Sequence, residues 1–189
     1  MNAYVTQRNK IFPDSLNFYI TPKVEFTPEQ LVIIDEHSID KNFDELLLIA
    51  REFSFNKKYD IAKLLCDYIL NEYPNYTDAR ILKGRTLAWE GKYKESEAAL
   101  VSAMQRSPYY YDSYLAILDM YWWSGQDEKA IDVFSAALKN NLTNVEISYK
   151  MAKAHQRMNN LEQANKIMDS IISVHPNTTE YITFKGTLK

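Results

Sequence analysis

The side chains that most often carry out chemistry are few in this chain, and they are not spaced for it. Its 189 residues contain three histidines, His37, His155 and His175, and a single cysteine, Cys66. No two of these residues stand at the short spacing typical of a zinc site. One cysteine cannot form an internal disulfide, and its aliphatic neighbours favour a buried hydrophobic role for Cys66.

Phosphate-binding and hydrolase chemistry also lacks its usual sequence signals. The chain has only four glycines and no GxGxxG, GxxxxGK[ST] or GxSxG string. Carboxylates such as Asp127, Glu128 and Asp132 lie at helical spacing and are interpreted as solvated surface, and His155 takes a packing position. The sequence therefore predicts a protein that is not an enzyme, with no catalytic residue, no metal site and no cofactor.

The overall composition excludes further classes of function. The net charge is −3 and the isoelectric point about 5.7, which argues against a nucleic-acid partner. No stretch approaches the roughly 20 apolar residues of a transmembrane helix. The N-terminus lacks the apolar core of a secretory signal. The protein is therefore expected to be cytoplasmic if the sequence is complete, or exported if a leader has been removed.

The strongest pattern in the chain is the regular spacing of three prolines. Pro74 and Pro108 are 34 apart, and Pro176 lies two further periods on. With proline at position 32 of each unit, the repeats are 43–76, 77–110, 111–144 and 145–178. Other positions then align, and small residues recur where two helices would cross closely. Position 8 is Ala50, Gly84, Leu118 and Ala152, and position 20 is Ala62, Ser96, Ala130 and Ala164.

Each repeat predicts two helices joined by a tight turn. Gly91 and Gly125 stand at position 15, where a helix end often adopts a left-handed conformation. Residues 178–188 predict one more helix, which would cover the last hairpin. The predicted pairs are 43–55 and 59–72, 77–90 and 94–106, 111–123 and 127–140, and 145–157 and 161–174.

This pattern resembles the tetratricopeptide repeat over residues 43–178. The best-matching positions run from Ile81 through Lys83-Gly84 and Trp89-Glu90-Gly91-Lys92-Tyr93 to Ala103 and Pro108. The chain departs from the motif in Leu118, Ser96 and Leu142, and it has no tryptophan at position 4. The resemblance implies an all-α fold, an α-α superhelix of four helical hairpins, with an N-terminal extension over 1–42 and a C-terminal capping helix within 179–189.

The segment 1–42 contains half of the six prolines and no repeat. Thr27-Pro28-Glu29-Gln30 is typical of a capped helix start and predicts a short helix over 28–36. Residues 16–26 are expected to run extended along the first repeat. Two interpretations remain open: a docking arm for a partner, or a cap with a loose tail.

The resemblance also implies where a partner binds. In such arrays the first helices line a concave groove, so that positions 2, 5, 9, 12 and 13 are expected to face it. Aromatic and arginine side chains are frequent anchors of protein interfaces. The expected groove has an apolar and aromatic floor, in which Leu47, Ile81 and Leu115 are the aliphatic members. Basic residues at both ends would suit a ligand with some negative charge. The partner-binding residues of the groove are Arg51, Phe55, Arg85, Trp89, Asp119, Trp123, Tyr149, Lys153 and Arg157.

The middle repeats carry a second, narrower resemblance. Residues 73–80, residues 84–93 and the stretch from Asp119 through Trp122 to Ser124-Gly125 are similar to the repeat segment of YaiO-type outer-membrane β-barrel proteins. That resemblance implies a periplasmic segment of a bacterial cell-envelope assembly. The predicted function is a scaffold that binds a protein or peptide.

The alternative ligand is a polysaccharide, stacked on Trp89, Trp122, Trp123 and the tyrosines at 109–111. A neutral aromatic surface would favour sugar. Alternating charge around apolar pockets would favour peptide.

Overall fold

The computed structural model describes residues 23–142 and 144–189, and in these ranges the chain forms ten α-helices and no strand. The eight helices of the repeats agree with the predicted bounds to within one residue, and the all-α prediction is confirmed. In chain order the helices are α1 (Pro28–Ser38), α2 (Phe43–Phe55), α3 (Tyr59–Glu72), α4 (Thr77–Trp89), α5 (Tyr93–Arg106), α6 (Tyr111–Ser124), α7 (Asp127–Lys139), α8 (Val145–Arg157), α9 (Leu161–Val174) and α10 (Thr179–Gly186).

The chain divides into two compact units, Met1–Ala116 and Ile117–Lys189. The first has a core of aliphatic residues from α2, α3 and α4, among them Leu46, Leu65 and Leu82. The second has a core from α8 and α9, which includes Tyr149 and Met168. The division into an extension, four repeats and a cap remains a prediction from the sequence register.

The turn between the two helices of each hairpin has one geometry in all four repeats. The backbone at position 15 is left-handed, as predicted for Gly91 (φ +84°) and Gly125 (φ +71°), and Lys57 and Asn159 adopt the same conformation with φ of 60° and 58°. The N–H of position 16 donates to the carbonyl oxygen of position 11 at 2.8–2.9 Å. This bond spans the helix end and satisfies a carbonyl that the helix leaves open.

Small side chains allow the two helices of a hairpin to cross closely. A Cβ atom built on Gly84 would lie 2.5 Å from Cγ and Cδ2 of Leu100, which is fully buried on α5. The hydroxyl of Ser96 donates to the carbonyl oxygen of Gly84 at 2.7 Å. Ser96, a departure from the usual alanine, therefore links α5 directly to the backbone of α4.

The missing tryptophan at position 4 is replaced by hydrogen bonds to the proline that ends the preceding repeat. The hydroxyl of Tyr114 donates to the carbonyl oxygen of Pro108 at 2.8 Å, and the guanidinium of Arg80 donates to that of Pro74. Arg80 is only 6% exposed. Burial, together with the charge of Arg106, lowers its pKa to about 10.

A second hydrogen bond recurs at the same joints of the first unit. The hydroxyl of Tyr110 at position 34 donates to the Asp78 carboxylate at position 2 of the same repeat, at 2.7 Å. Tyr76 donates to Asp44 in the preceding repeat in the same way. The hydrogen bond to Asp78, followed by burial, raises the pKa of Tyr110 to about 12.

The helices outside the repeats form where the sequence predicted them. Thr27 caps α1, and its side chain accepts from the Gln30 N–H while the Gln30 side chain accepts from the Thr27 N–H. At the other end, α10 takes the place of a further first helix. Lys185 pairs with Asp169 of α9, as Lys83 of α4 pairs with Asp67 of α3. The predicted extended stretch 16–26 lies largely outside the described residues.

We expect Gly84→Val to lower the free energy of unfolding by about 2 kcal/mol or more, because its branched side chain overpacks against Leu100. Urea unfolding followed by circular dichroism measures the change. Gly186→Val is the matched control, since nothing lies within 4 Å of a Cβ at that glycine, and its effect should stay within about 0.5 kcal/mol. Equal losses of unfolding free energy in both variants would contradict the close crossing of α4 and α5 at Gly84.

Candidate functional site

Four of the predicted partner-binding residues lie on α2 and α4 of the first unit, and these helices pack against each other. The rings of Phe55 and Trp89 have centroids 5.6 Å apart, and Phe55 is 66% exposed. Arg51 is exposed and lies close enough to Tyr110 to act on its pKa, and Arg85 is half-buried. The first unit therefore carries an aromatic pair, exposed at Phe55 and half-buried at Trp89, flanked by two arginines. We call it the Phe55–Trp89 surface.

The second unit contains a cavity of about 240 Å³ lined by residues of α6, α7 and α8. It brings together three predicted residues, Asp119, Trp123 and Lys153. Trp122 and Trp123 are 39% and 42% exposed, so both rings reach the surface. We call it the tryptophan cavity, and its lining consists of Leu118, Asp119, Trp122, Trp123, Asp127, Ala130, Lys150, Lys153 and Ala154.

Arg157, also predicted to bind a partner, is engaged by its own chain. Its guanidinium carbon lies 4.3 Å from the ring centroid of Trp122, and Nη1 donates to the Trp122 carbonyl oxygen at 2.8 Å. Its Nε lies 3.0 Å from Oδ2 of Asp127. The other oxygen of Asp127, Oδ1, is buried without a hydrogen bond to any described residue. Arg157 thus covers one face of Trp122 and neutralises Asp127.

The other basic residues of the cavity are paired as well. Lys150 forms an ion pair with Asp119. The Lys153 ammonium lies 4.1 Å from the ring centroid of Tyr149 and 3.8 Å from a carboxylate oxygen of Glu180. The basic residues predicted at this end are present, but Lys150, Lys153 and Arg157 each face a carboxylate of the same unit, so much of their positive charge is compensated.

Position 5 of the repeat does not face a groove as predicted. Leu47, Ile81, Leu115 and Tyr149 are each only 6% or 7% exposed. The ring of Tyr149 packs on Tyr181 and Phe184 of α10 at 4.9 and 5.3 Å, and burial, followed by Glu180, raises its pKa to about 12. Position 5 lies three residues before the crossing at position 8, hence on the packing face. The three-residue spacing between positions 5 and 8 was the feature of the sequence that could have predicted this burial.

Two residues of the cavity were missed by the sequence reasoning. Asp127 was interpreted as solvated surface, yet its side chain is only 12% exposed. Lys150 was not considered, although it follows Asp119 at close to one repeat length. That near-period spacing between opposite charges on successive first helices was a usable signal for Lys150. Nothing in the sequence pattern distinguishes Asp127 from a solvated helix-start carboxylate.

Two of the residues best suited to chemistry, Cys66 and His155, are buried. No group of three or more histidine, cysteine or carboxylate side chains in the described part of the chain is arranged to hold a metal ion. Cys66 is fully buried, and burial raises the pKa of its thiol, which makes it a poor nucleophile. His155 is 8% exposed, and burial lowers its pKa. None of the helices in this part is both long and apolar enough to span a bilayer.

Helical hairpins that recur with the period of the prolines, with small residues at the crossing and one turn geometry, define a tetratricopeptide-repeat protein. A family model described as "Psidin, N-terminal TPR repeats region" matches residues 54–182. The chain belongs to this family. No curated protein matches its sequence.

Solved structures with the same fold are distant in sequence. MamA (residues 41 to the end) from Desulfovibrio magneticus RS-1 superposes with a TM-score of 0.63 at 15% identity, over 77% of this chain and 82% of that one. TTC0263, a thermophilic TPR protein of Thermus thermophilus, superposes with a TM-score of 0.64 at 16% identity, over 84% of this chain and 88% of that one. At this identity the likeness shows the fold alone, and the resemblance to YaiO-type proteins remains a prediction.

A double-mutant cycle tests the Arg157–Asp127 contact. We expect Arg157→Leu to destabilise the protein by about 1–3 kcal/mol, because it leaves a nearly buried carboxylate without its counter-charge. Asp127→Leu combined with Arg157→Leu should cost less than the two single variants together, with a coupling of at least about 0.5 kcal/mol. Additive losses in urea unfolding would mean that the two groups do not interact.

His155 predicts a loss of stability in mild acid. Burial lowers its folded-state pKa below the ordinary value of 6.5, so the unfolded chain takes up the proton first. Its stabilising contribution is complete above about pH 6.5 and declines as the pH falls below that value. Melting temperatures between about pH 7.5 and 5.5 should fall less for His155→Gln than for the wild type. His175→Gln, at an exposed histidine of the same unit, should retain the wild-type slope.

Proposed function

We propose that this protein is a non-enzymatic scaffold that binds a partner polypeptide through exposed aromatic residues of its first helices. The proposal places binding at two surfaces, one in each unit. The Phe55–Trp89 surface contributes Arg51 and Arg85, and the tryptophan cavity contributes Asp119, Trp123 and Lys153. Tyr149 supports Lys153 from beneath, and Arg157 holds Trp122 in place.

The observation that carries the proposal is the composition of the tryptophan cavity. Exposed tryptophan rings stand beside the ion pair of Lys150 with Asp119, over an apolar base of Leu118, Ala130 and Ala154. Apolar contacts ringed by alternating charges suit a polypeptide, which offers apolar side chains together with charged ones and backbone N–H and C=O groups. Because the charges of the cavity are already compensated, its ligand is expected to be nearly neutral where it enters.

Carbohydrate binding is the second candidate, favoured by two adjacent tryptophans that both reach the surface. Sugar rings stack on open aromatic faces. One face of Trp122 is covered by the Arg157 guanidinium, which reduces the stacking surface of the pair. This contact favours the polypeptide.

The cell-envelope part of the proposal has narrower support. It rests on the resemblance of residues 73–80 and 84–93 to the repeat segment of YaiO-type proteins. On this basis the scaffold belongs to a bacterial envelope assembly and faces the periplasm. Fractionation of cells that express the tagged protein from its native gene tests this placement.

A peptide-display selection against the full chain tests the binding sites. For peptides that bind the tryptophan cavity, we expect Trp123→Ala to weaken binding about tenfold or more, since a truncated aromatic anchor typically costs about 1.4 kcal/mol or more. Fluorescence anisotropy gives the dissociation constants. Ile182→Ala, at a half-exposed apolar residue of α10, is the matched control and should bind normally.

The same selection distinguishes the alternatives. A glycan array screened in parallel would favour the carbohydrate hypothesis if oligosaccharides bound and no peptide did. Peptides that still bind Trp123→Ala and Trp89→Ala, but fail to bind after removal of residues 1–42, would assign binding to the N-terminal extension.

A further inference from the structure

The outward face of α1 is apolar at its start and acidic toward its end. Leu31 and Val32 are 45% and 57% exposed, and Asp35 and Glu36 are exposed one turn later on the same face. Ile39, just past the helix end, is 62% exposed and continues this stripe. The spacing i, i+1, i+4, i+5, i+8 places all five on one side of the helix.

This face is presented by a firmly held element. Within α1 only Ile34 is buried, at 1% exposure, and His37 contacts the ring of Phe53 with centroids 5.0 Å apart. Ahead of the helix, Val24 exchanges two hydrogen bonds of 2.9 and 2.7 Å with the side chain of Asn71 on α3. A surface that is already ordered loses little conformational entropy on binding.

Acidic residues predominate in α1 and in the residues that flank it in the sequence. Residues 23–45 contain seven carboxylates and only two lysines, whereas the whole chain has a net charge of −3. Inside α1 there are three carboxylates and no lysine or arginine. A ligand that covers Leu31 and Val32 must therefore approach Asp35 and Glu36, so it needs positive charge next to its apolar atoms.

We propose that the outward face of α1 binds an amphipathic α-helix of a partner protein, with an aliphatic stripe flanked by lysine or arginine. Aliphatic side chains of that helix cover Leu31, Val32 and Ile39, and its basic residues pair with Asp35 and Glu36. A helix matches the helical spacing of these residues, since ridges of one helix fit the grooves of another. This site is independent of the Phe55–Trp89 surface and the tryptophan cavity.

Two synthetic helices of about 20 residues test the proposal on the full chain. One has a leucine stripe flanked by lysines, and in the other glutamates replace the lysines. Fluorescence anisotropy should show binding of the lysine peptide and at least about tenfold weaker binding of the glutamate peptide. Hydrogen exchange should slow within residues 28–38 when the lysine peptide is bound. Added salt should weaken the complex, because its ion pairs are exposed.

Variants at the face make the test specific. Leu31→Asp with Val32→Asp should weaken binding about tenfold or more, since both apolar contacts are lost. Asp35→Lys with Glu36→Lys should reverse the preference toward the glutamate peptide. Leu138→Asp on α7 is the matched control, with the same 45% exposure as Leu31, and it should bind like the wild type.

Three results would overturn the proposal. Binding that is indifferent to the variants at Leu31, Val32, Asp35 and Glu36 would place the peptide elsewhere. Equal affinity for both peptides would remove the charge argument. A dimer of the free chain that dissociates in Leu31→Asp, seen by light scattering, would assign the face to a second copy of this chain.

Discussion

The close crossing of the two helices in a hairpin is the constraint on which the rest of the structure depends. Gly84 lies against Leu100 without room for a methyl group, and the equivalent Ala50 and Ala152 are fully buried. Position 5 lies on the same face of the first helix as position 8, so it is buried when that face packs against the second helix. The strip that contains positions 9 and 13 stays open to solvent, and Arg51, Phe55 and Trp123 are exposed there.

Much of the fold follows from the sequence because the signals are local and repeated. Helix ends depend on turn residues such as Gly91 and on the spacing of apolar residues, and both can be read from the chain. The left-handed Lys57 and Asn159 were not predicted, since neither residue type demands that conformation. Both residues nevertheless occupy position 15 of the repeat, where Gly91 and Gly125 predicted a left-handed backbone.

The candidate sites were less predictable, because their character depends on which charges meet across helices. Lys153 and Arg157 both appear as available cations in the sequence. In the structure Glu180 and Asp127 neutralise them, and these partners come from α10 and α7. A sequence pattern locates a side chain on its own helix, whereas its partner depends on side-chain reach between helices. Because these carboxylate partners could not be predicted, the sequence indicated an acidic ligand, whereas the paired charges of the structure favour a nearly neutral one.

The joints between repeats have a consequence for how the chain can change in length over evolution. In the first unit, Tyr76 bonds to Asp44 and Tyr110 bonds to Asp78, so each joint is tied to the start of its own repeat across 32 residues. An insertion or deletion of one residue inside a helix of these spans would rotate the rest of that helix by about 100° and separate the bonded groups. The gain or loss of a whole repeat keeps such joints intact, whereas a one-residue change within its helices breaks them. After the third repeat, Leu142 and Asn144 replace the proline and tyrosine, so this linkage is absent and small changes in loop length are tolerated more easily.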